Sequence, residues 1–98
     1  MDGIVTVIAH VCAKPGQESR VRQVLEGLLA PTRAEAGCIN YDLHQSQVDP
    51  ALFVFHENWK SEAHLEAHGR SAHIQSFRNL GAEILAAPVE ITKWKAIP

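Results

Sequence analysis

Residues Cys38–Trp59 read CINYDLHQSQVDPALFVFHENW. Through Cys38–Gln47, Ile39, Tyr41 and Leu43 alternate with Asn40, Asp42 and His44, the period-two pattern of a strand with one apolar and one polar side. Leu52–Trp59 (LFVFHENW) is a second run of strand formers. Between them, Val48-Asp49-Pro50-Ala51 has the Asp and Pro of a turn. The stretch is a hairpin. A hairpin in the middle of a short chain decides the fold, provided that helices flank it on both sides.

They do. Upstream, Ile4–Ala13 (IVTVIAHVCA) is dense in β-branched residues and stops at Lys14-Pro15-Gly16. Its apolar residues fall on both parities, so this strand expects cover on both faces. From Gln17 to about Ala36 the period becomes helical, with Val21, Val24, Leu25, Leu28 and Leu29 in one stripe. Pro31 lacks the N–H that would bond residue 27, which predicts a kink there, and Gly37 is a natural stop. Downstream, Ser61 caps a short helix over Glu62–His68 closed by Gly69. Ser71 caps another that runs to about Leu85, with Ile74, Phe77, Gly81, Ile84 and Leu85 turned inward. Pro88 ends it, and Val89–Ile97 is a closing strand.

The order β-α-β-β-α(α)-β predicts an α+β fold of the ferredoxin-like type, a four-stranded antiparallel sheet with the helices on one face. The other face stays bare, although the first and third strands are apolar on both parities. A bare apolar sheet of this size predicts a homodimer in which two copies pack sheet to sheet.

Composition narrows the function classes. The 98 residues fit one domain, 1–98, and a chain this short buries only about 60–70% of the surface that its unfolded form exposes. A net charge of −2 lacks the basic excess of a nucleic-acid binder. No run approaches the roughly 18 apolar residues of a membrane span. Met1-Asp2-Gly3 leads straight into a strand, unlike a secretory signal, and two cysteines build no disulfide framework. Both features point to the cytoplasm, where thiols stay reduced. The odd feature is six histidines against a single tyrosine.

Four of those six histidines lie between His56 and His73. Glu57 and Trp59 share one strand face, and His56 and Asn58 the other. Glu62 and Glu66 mark the wet side of the short helix, so His64 and His68, also four apart, lean inward. His73 sits at the edge of the next helix's apolar stripe. His64 and His68 have the histidine spacing of zinc proteases, but Glu66 faces away and does not follow the first His, so no metal site is expected. Cys12 and Cys38 have no basic neighbour to lower a thiol pKa, and Ser61 and Ser71 are explained as caps. No glycine loop offers a nucleotide cofactor a seat. Acid–base chemistry remains. A His near neutral pKa beside Trp59 suits removal of a phenol or enol proton, and Glu57 could orient an imidazole. Core packing is the alternative use for Trp59 and for both histidines.

Several runs carry a resemblance: Thr6–Ala9, Lys14-Pro15-Gly16, Glu35–Ile39, the Glu57-x-Trp59 pair, Ala63–His68, and Ser71-Ala72-His73 followed by Phe77. Together they resemble the antibiotic biosynthesis monooxygenase family, and within it the bacterial quinol monooxygenases. The resemblance implies a dimeric α+β barrel that oxygenates a small phenol or hydroquinone with O2, without metal, flavin or haem. Carried over, the site is His68, His73 and Glu57, with Trp59, Tyr41 and Asn40 binding substrate. The Asn–Trp–His triad of related haem-degrading enzymes is absent, with Ala9, His68 and Arg78 near those places. Two other readings stay open: an acid–base isomerase of a small carbonyl compound, and a non-catalytic dimeric barrel that binds a ligand.

Overall fold

The computed structural model of the protein describes residues 3–98. Met1 and Asp2, on which the reading of the amino terminus partly rests, lie outside the described residues. The elements follow the expected order: β1 (Val5–Cys12), α1 (Glu18–Gly27), α2 (Leu29–Arg33), β2 (Cys38–Gln45), β3 (Leu52–Trp59), α3 (Glu62–Gly69), α4 (Ala72–Ile84) and β4 (Glu90–Trp94). All strand pairs are antiparallel, in the order β2-β3-β1-β4. This is the ferredoxin-like α+β arrangement. The two strands expected to be apolar on both sides, β1 and β3, are the central pair.

Period-two burial sets the two faces. Val7, Ala9 and Val11 of β1 and Phe53, Phe55 and Trp59 of β3 are buried beneath the helices. Register places Tyr41 of β2 opposite Glu57 of β3, and Glu57 opposite Val7 of β1, so all three share that face. From the helices, Val21 and Leu25 of α1 and Ile74, Phe77 and Ile84 of α4 complete the core. Each buried aliphatic side chain contributes on the order of 2 kcal/mol by leaving water.

The helix after β1 differs from expectation. The chain breaks at Leu28, one turn before Pro31, giving α1 and the five-residue α2. Proline has no N–H for the carbonyl of Gly27, so the ladder fails there and not at the ring itself. Leu28 instead donates to the Leu25 carbonyl at 3.1 Å, a tighter turn. The new direction lays α2 along β2, where Arg33 Nε donates to the Tyr41 carbonyl at 3.0 Å.

Strand ends also moved inward. β4 stops at Trp94, and β2 stops at Gln45, where Ser46 Oγ accepts from the backbone of Val48 and Asp49 and begins the turn. Both helices after β3 begin as expected: Ser61 and Ser71 accept from the backbone N–H of His64 and Ile74.

The helix-free face is only half apolar. Ile8 of β1, Leu52 and Val54 of β3 and Trp94 of β4 are its apolar residues, and Trp94 is 59% exposed. Over β2 and β3 the face also carries a polar network: Asn58 Nδ2 donates to Asn40 Oδ1 at 2.7 Å, and Asn40 Nδ2 donates to Asp42 at 3.0 Å.

Candidate active site

The β3 strand, α3 and the start of α4 bring together the residues that could carry chemistry. Ser61 and Ser71 fix where the two helices begin, and α3 is only two turns long. That brings His68, in its last turn, close to His73, in the first turn of α4; their ring centroids are 6.0 Å apart. Between them stands Glu35, in the turn after α2. One carboxylate oxygen, Oε2, lies 2.8 Å from His68 Nδ1 and 2.9 Å from His73 Nε2. A carboxylate only accepts, so His68 Nδ1 and His73 Nε2 are assigned as the protonated nitrogens.

A cavity of about 850 Å³ opens between the helix-covered face of the sheet and α3 and α4. Its walls are mainly apolar, with Val7, Ala9, Phe55, Ile74 and Phe77 among them; Tyr41, Glu57, His68 and Arg78 add polar groups. Glu35 is not in that wall. With Nδ1 turned to Glu35, His68 has its Nε2 edge left for the cavity, and Nε2 has no partner among the described residues. Burial lowers the His68 pKa; Glu35 opposes this through its hydrogen bond and charge, while His73 and Arg78 add to the lowering. His68 is therefore a neutral imidazole near pH 7, held in one tautomer with a lone pair toward an apolar space.

Glu57 is the second proton-handling group in the wall. It is 4% exposed, and burial is the main cause that pushes its carboxyl up to about 7. The Trp59 indole N–H, which donates to Glu57 Oε1 at 2.8 Å, holds it down in part, and the charge of Glu35 raises it further. Tyr41 stacks on Phe55 at 4.4 Å between centroids, and burial raises its phenol well above the ordinary range.

The sequence-predicted residues divide accordingly. His68, Glu57 and Tyr41 line the cavity. Trp59 does not: it is fully buried behind His68, with ring centroids 4.5 Å apart, so it backs the imidazole and offers no wall to a ligand. His73 also stands behind the wall, on the far side of Glu35. Asn40 lies on the opposite face of the sheet, because its register partner is Asn58 and not Glu57. Glu57 orients no imidazole; it binds the Trp59 indole instead. The inward lean of His64 ends at its own cap, where Nδ1 meets Ser61 Oγ at 2.7 Å, so the zinc-protease spacing brings no ligand pair together.

The orienting carboxylate is Glu35, which periodicity and spacing gave no role. It sits 33 residues before His68 and 38 before His73, in a turn. Its only trace in the sequence is its place in the Glu35–Ile39 run.

The profile of the antibiotic biosynthesis monooxygenase family matches residues 4–80, and the chain belongs to that family. Among curated relatives, the Escherichia coli K12 protein named "Probable quinol monooxygenase YgiN" is 33% identical over 85 residues. That match covers 76% of this chain and 81% of the relative. The crystal structure of PA3566 from Pseudomonas aeruginosa has a TM-score of 0.95 at 37% identity, covering 100% of this chain and 98% of that one. Rv0793 from Mycobacterium tuberculosis gives 0.89 at 35% identity, covering 97% and 96%. Family membership supports a monooxygenase-type function. No helix among the described residues is long and apolar enough to cross a membrane.

Proposed function

We propose that the protein oxygenates a small phenol or hydroquinone with O2, His68 acting as the general base and Glu35 as its orienting carboxylate. One observation carries this reading: a neutral imidazole, held in one tautomer by Glu35, turns a free Nε2 toward an apolar cavity. Removing a phenol proton raises the electron-donating power of the ring, so the bound phenolate can reduce O2 by itself. The semiquinone and superoxide then recombine at a ring carbon. Loss of water from that hydroperoxide breaks the O–O bond and leaves a hydroxyquinone, one oxygen atom in the product and the other in water. The apolar walls keep bulk water from the reduced oxygen. Glu57, titrating near neutrality in the same cavity, is placed to return a proton to the departing hydroxide. His73 acts through Glu35 as a positioning residue. The name of the E. coli relative supports a quinol as the substrate class.

The test is oxygen uptake by purified protein with a panel of hydroquinones and no added cofactor. Uptake with hydroxyquinone formation, lost in His68→Ala, is expected; an inert panel overturns the reading. The pairing of His68 with Glu57 in one cavity also favours a second reading, proton transfer within a small carbonyl compound. Exchange of substrate protons with solvent in the absence of oxygen distinguishes it.

The active unit we propose is a cytoplasmic homodimer joined through the helix-free sheet faces. Exposed Leu52 and Trp94 beside Ile8 and Val54 support the interface, and the free thiols Cys12 and Cys38 fit a reducing compartment. Sedimentation as a monomer at micromolar concentration would exclude the dimer.

A further inference from the structure

The Glu35, His68 and His73 cluster has a second chemical capacity. One donor atom from each residue, two imidazole nitrogens and a carboxylate oxygen, lies within 4.8 Å of the others. The three come from separate elements: the turn after α2, the end of α3 and the start of α4. Their convergence is therefore a product of the tertiary fold and not of helical spacing. Two imidazoles and a carboxylate are a recurrent ligand set for divalent transition ions, with the remaining positions open to water or ligand.

Charge points the same way. No lysine or arginine among the described residues pairs with Glu35. Arg33 turns to Asp42, and Arg78 to the Gly69 carbonyl. The uncompensated charge is felt by its neighbours: Glu35 is among the causes that push Cys38, Tyr41 and Glu57 up. Glu35 is half-buried, and hydrogen bonds from two imidazoles give its charge no fixed positive partner, which a cation among the three donors supplies. Ser71 Oγ, 3.3 Å from His73 Nε2, is a further oxygen close to the cluster.

We propose that Glu35, His68 and His73 form a binding site for one divalent transition-metal ion of the zinc and cobalt type. With metal–nitrogen bonds near 2.0–2.1 Å, tetrahedral donors stand about 3.3 Å apart. The 2.8 and 2.9 Å contacts to Glu35 therefore open by about half an ångström when the ion replaces the protons between them. Each imidazole keeps one proton, moved to its other nitrogen. For His68 that nitrogen is Nε2, so the metal-loaded ring presents a donor to the cavity where the metal-free ring presents a base. Metal binding and base chemistry at His68 exclude one another. This departs from the sequence expectation of no metal site. It also stands apart from the proposed oxygenation, because its primary readout is not turnover.

The test is a Co2+ titration of chelator-treated full-length protein, followed by visible absorption. The expected result is one Co2+ per chain, with d–d bands far stronger than those of the hexaaqua ion, abolished by one equivalent of Zn2+. Glu35→Gln and His73→Ala each weaken binding at least tenfold, and His64→Ala, which removes a histidine outside the cluster, does not. A spectrum that stays that of the hexaaqua ion overturns the proposal, as do bands that persist in the Glu35→Gln/His73→Ala double variant. A readout that needs no variant is the 15N spectrum of the native protein with Zn2+. His68 Nδ1 and His73 Nε2 must move together; movement confined to other histidines overturns the site.

Discussion

Replacing Glu35 by Gln separates the orienting role of this residue from its charge. The carboxylate accepts from both imidazoles through one oxygen. An amide oxygen in the same place also has two lone pairs and can accept from both rings, but it carries no charge, so the charge assistance goes while the acceptor stays. At least one charge-assisted bond is lost, about 1.5–3 kcal/mol. If that energy is expressed in the transition state, kcat/KM for hydroquinone oxygenation falls about 10- to 100-fold at roughly 1.4 kcal/mol per decade. The pH profile says why. Glu35 raises the His68 pKa, both as hydrogen-bond partner and as charge, against the burial that lowers it. Activity needs neutral His68, so its acid limb follows that pKa and moves to lower pH in the variant. A site that merely loosened would admit water, relieve the burial and move the limb upward. The assay is kcat/KM from pH 5 to 9, with 15N spectra reporting the His68 tautomer. Unchanged kcat/KM with an unmoved acid limb, or a limb moving up, would refute the reasoning.

Glu57 makes stability depend on pH in a defined direction. Its carboxyl, ordinarily near 4.5, stands at about 7 in the folded chain. Between those values the folded state holds more protons than the unfolded state, so stability falls as pH rises from about 4.5 through 7, by about 3 kcal/mol in total. Glu57→Gln removes this term, so urea unfolding at pH 8 should show a more stable variant and a flatter profile between pH 5 and 8. Trp59→Phe deletes the indole N–H that holds Glu57 down. It should move the Glu57 titration above about 7 in 13C carboxyl spectra and reduce stability by about 1–3 kcal/mol. At Gly37 an added Cβ would overlap the His64 side chain near its root. Gly37→Ala is therefore expected to lower unfolding free energy by about 1–3 kcal/mol, measured by denaturant titration. Asn40→Ala, on the face away from the cavity, should leave KM for the hydroquinone within twofold while weakening self-association in sedimentation.

Local patterns made most of the fold legible. Alternation in Cys38–Gln45 and Leu52–Trp59, the helical stripe through Val21 and Leu25, and the Ser61 and Ser71 caps are each set by neighbours within a few residues. Pro31 announced a kink through its missing bond to residue 27, and the structure has a full break at the adjacent Leu28, because the deficit of a proline falls on the carbonyl four residues earlier. Site residues were legible only as far as parity and helical phase reach. Those rules turned Glu57 and His68 inward correctly. They could not say that Trp59 would lie behind His68 instead of beside a ligand, since depth within one face depends on what packs above it. Asn40 came from resemblance, and parity within β2 contradicts it: Tyr41 faces the cavity, so its neighbour cannot.

The amino-acid sequence by itself determined the order of elements, the faces of the strands, and which histidines turn inward, because backbone periodicity and capping act over a few residues. Only the tertiary structure decided who holds those histidines. Glu35 reaches His68 and His73 across more than 30 residues of chain. That contact exists because the chain breaks at Leu28 and lays α2 along β2, while the Ser61 and Ser71 caps start α3 and α4 where both rings meet one carboxylate. No local pattern encodes such a meeting, since each side chain satisfies its own element's rules whether or not the others arrive.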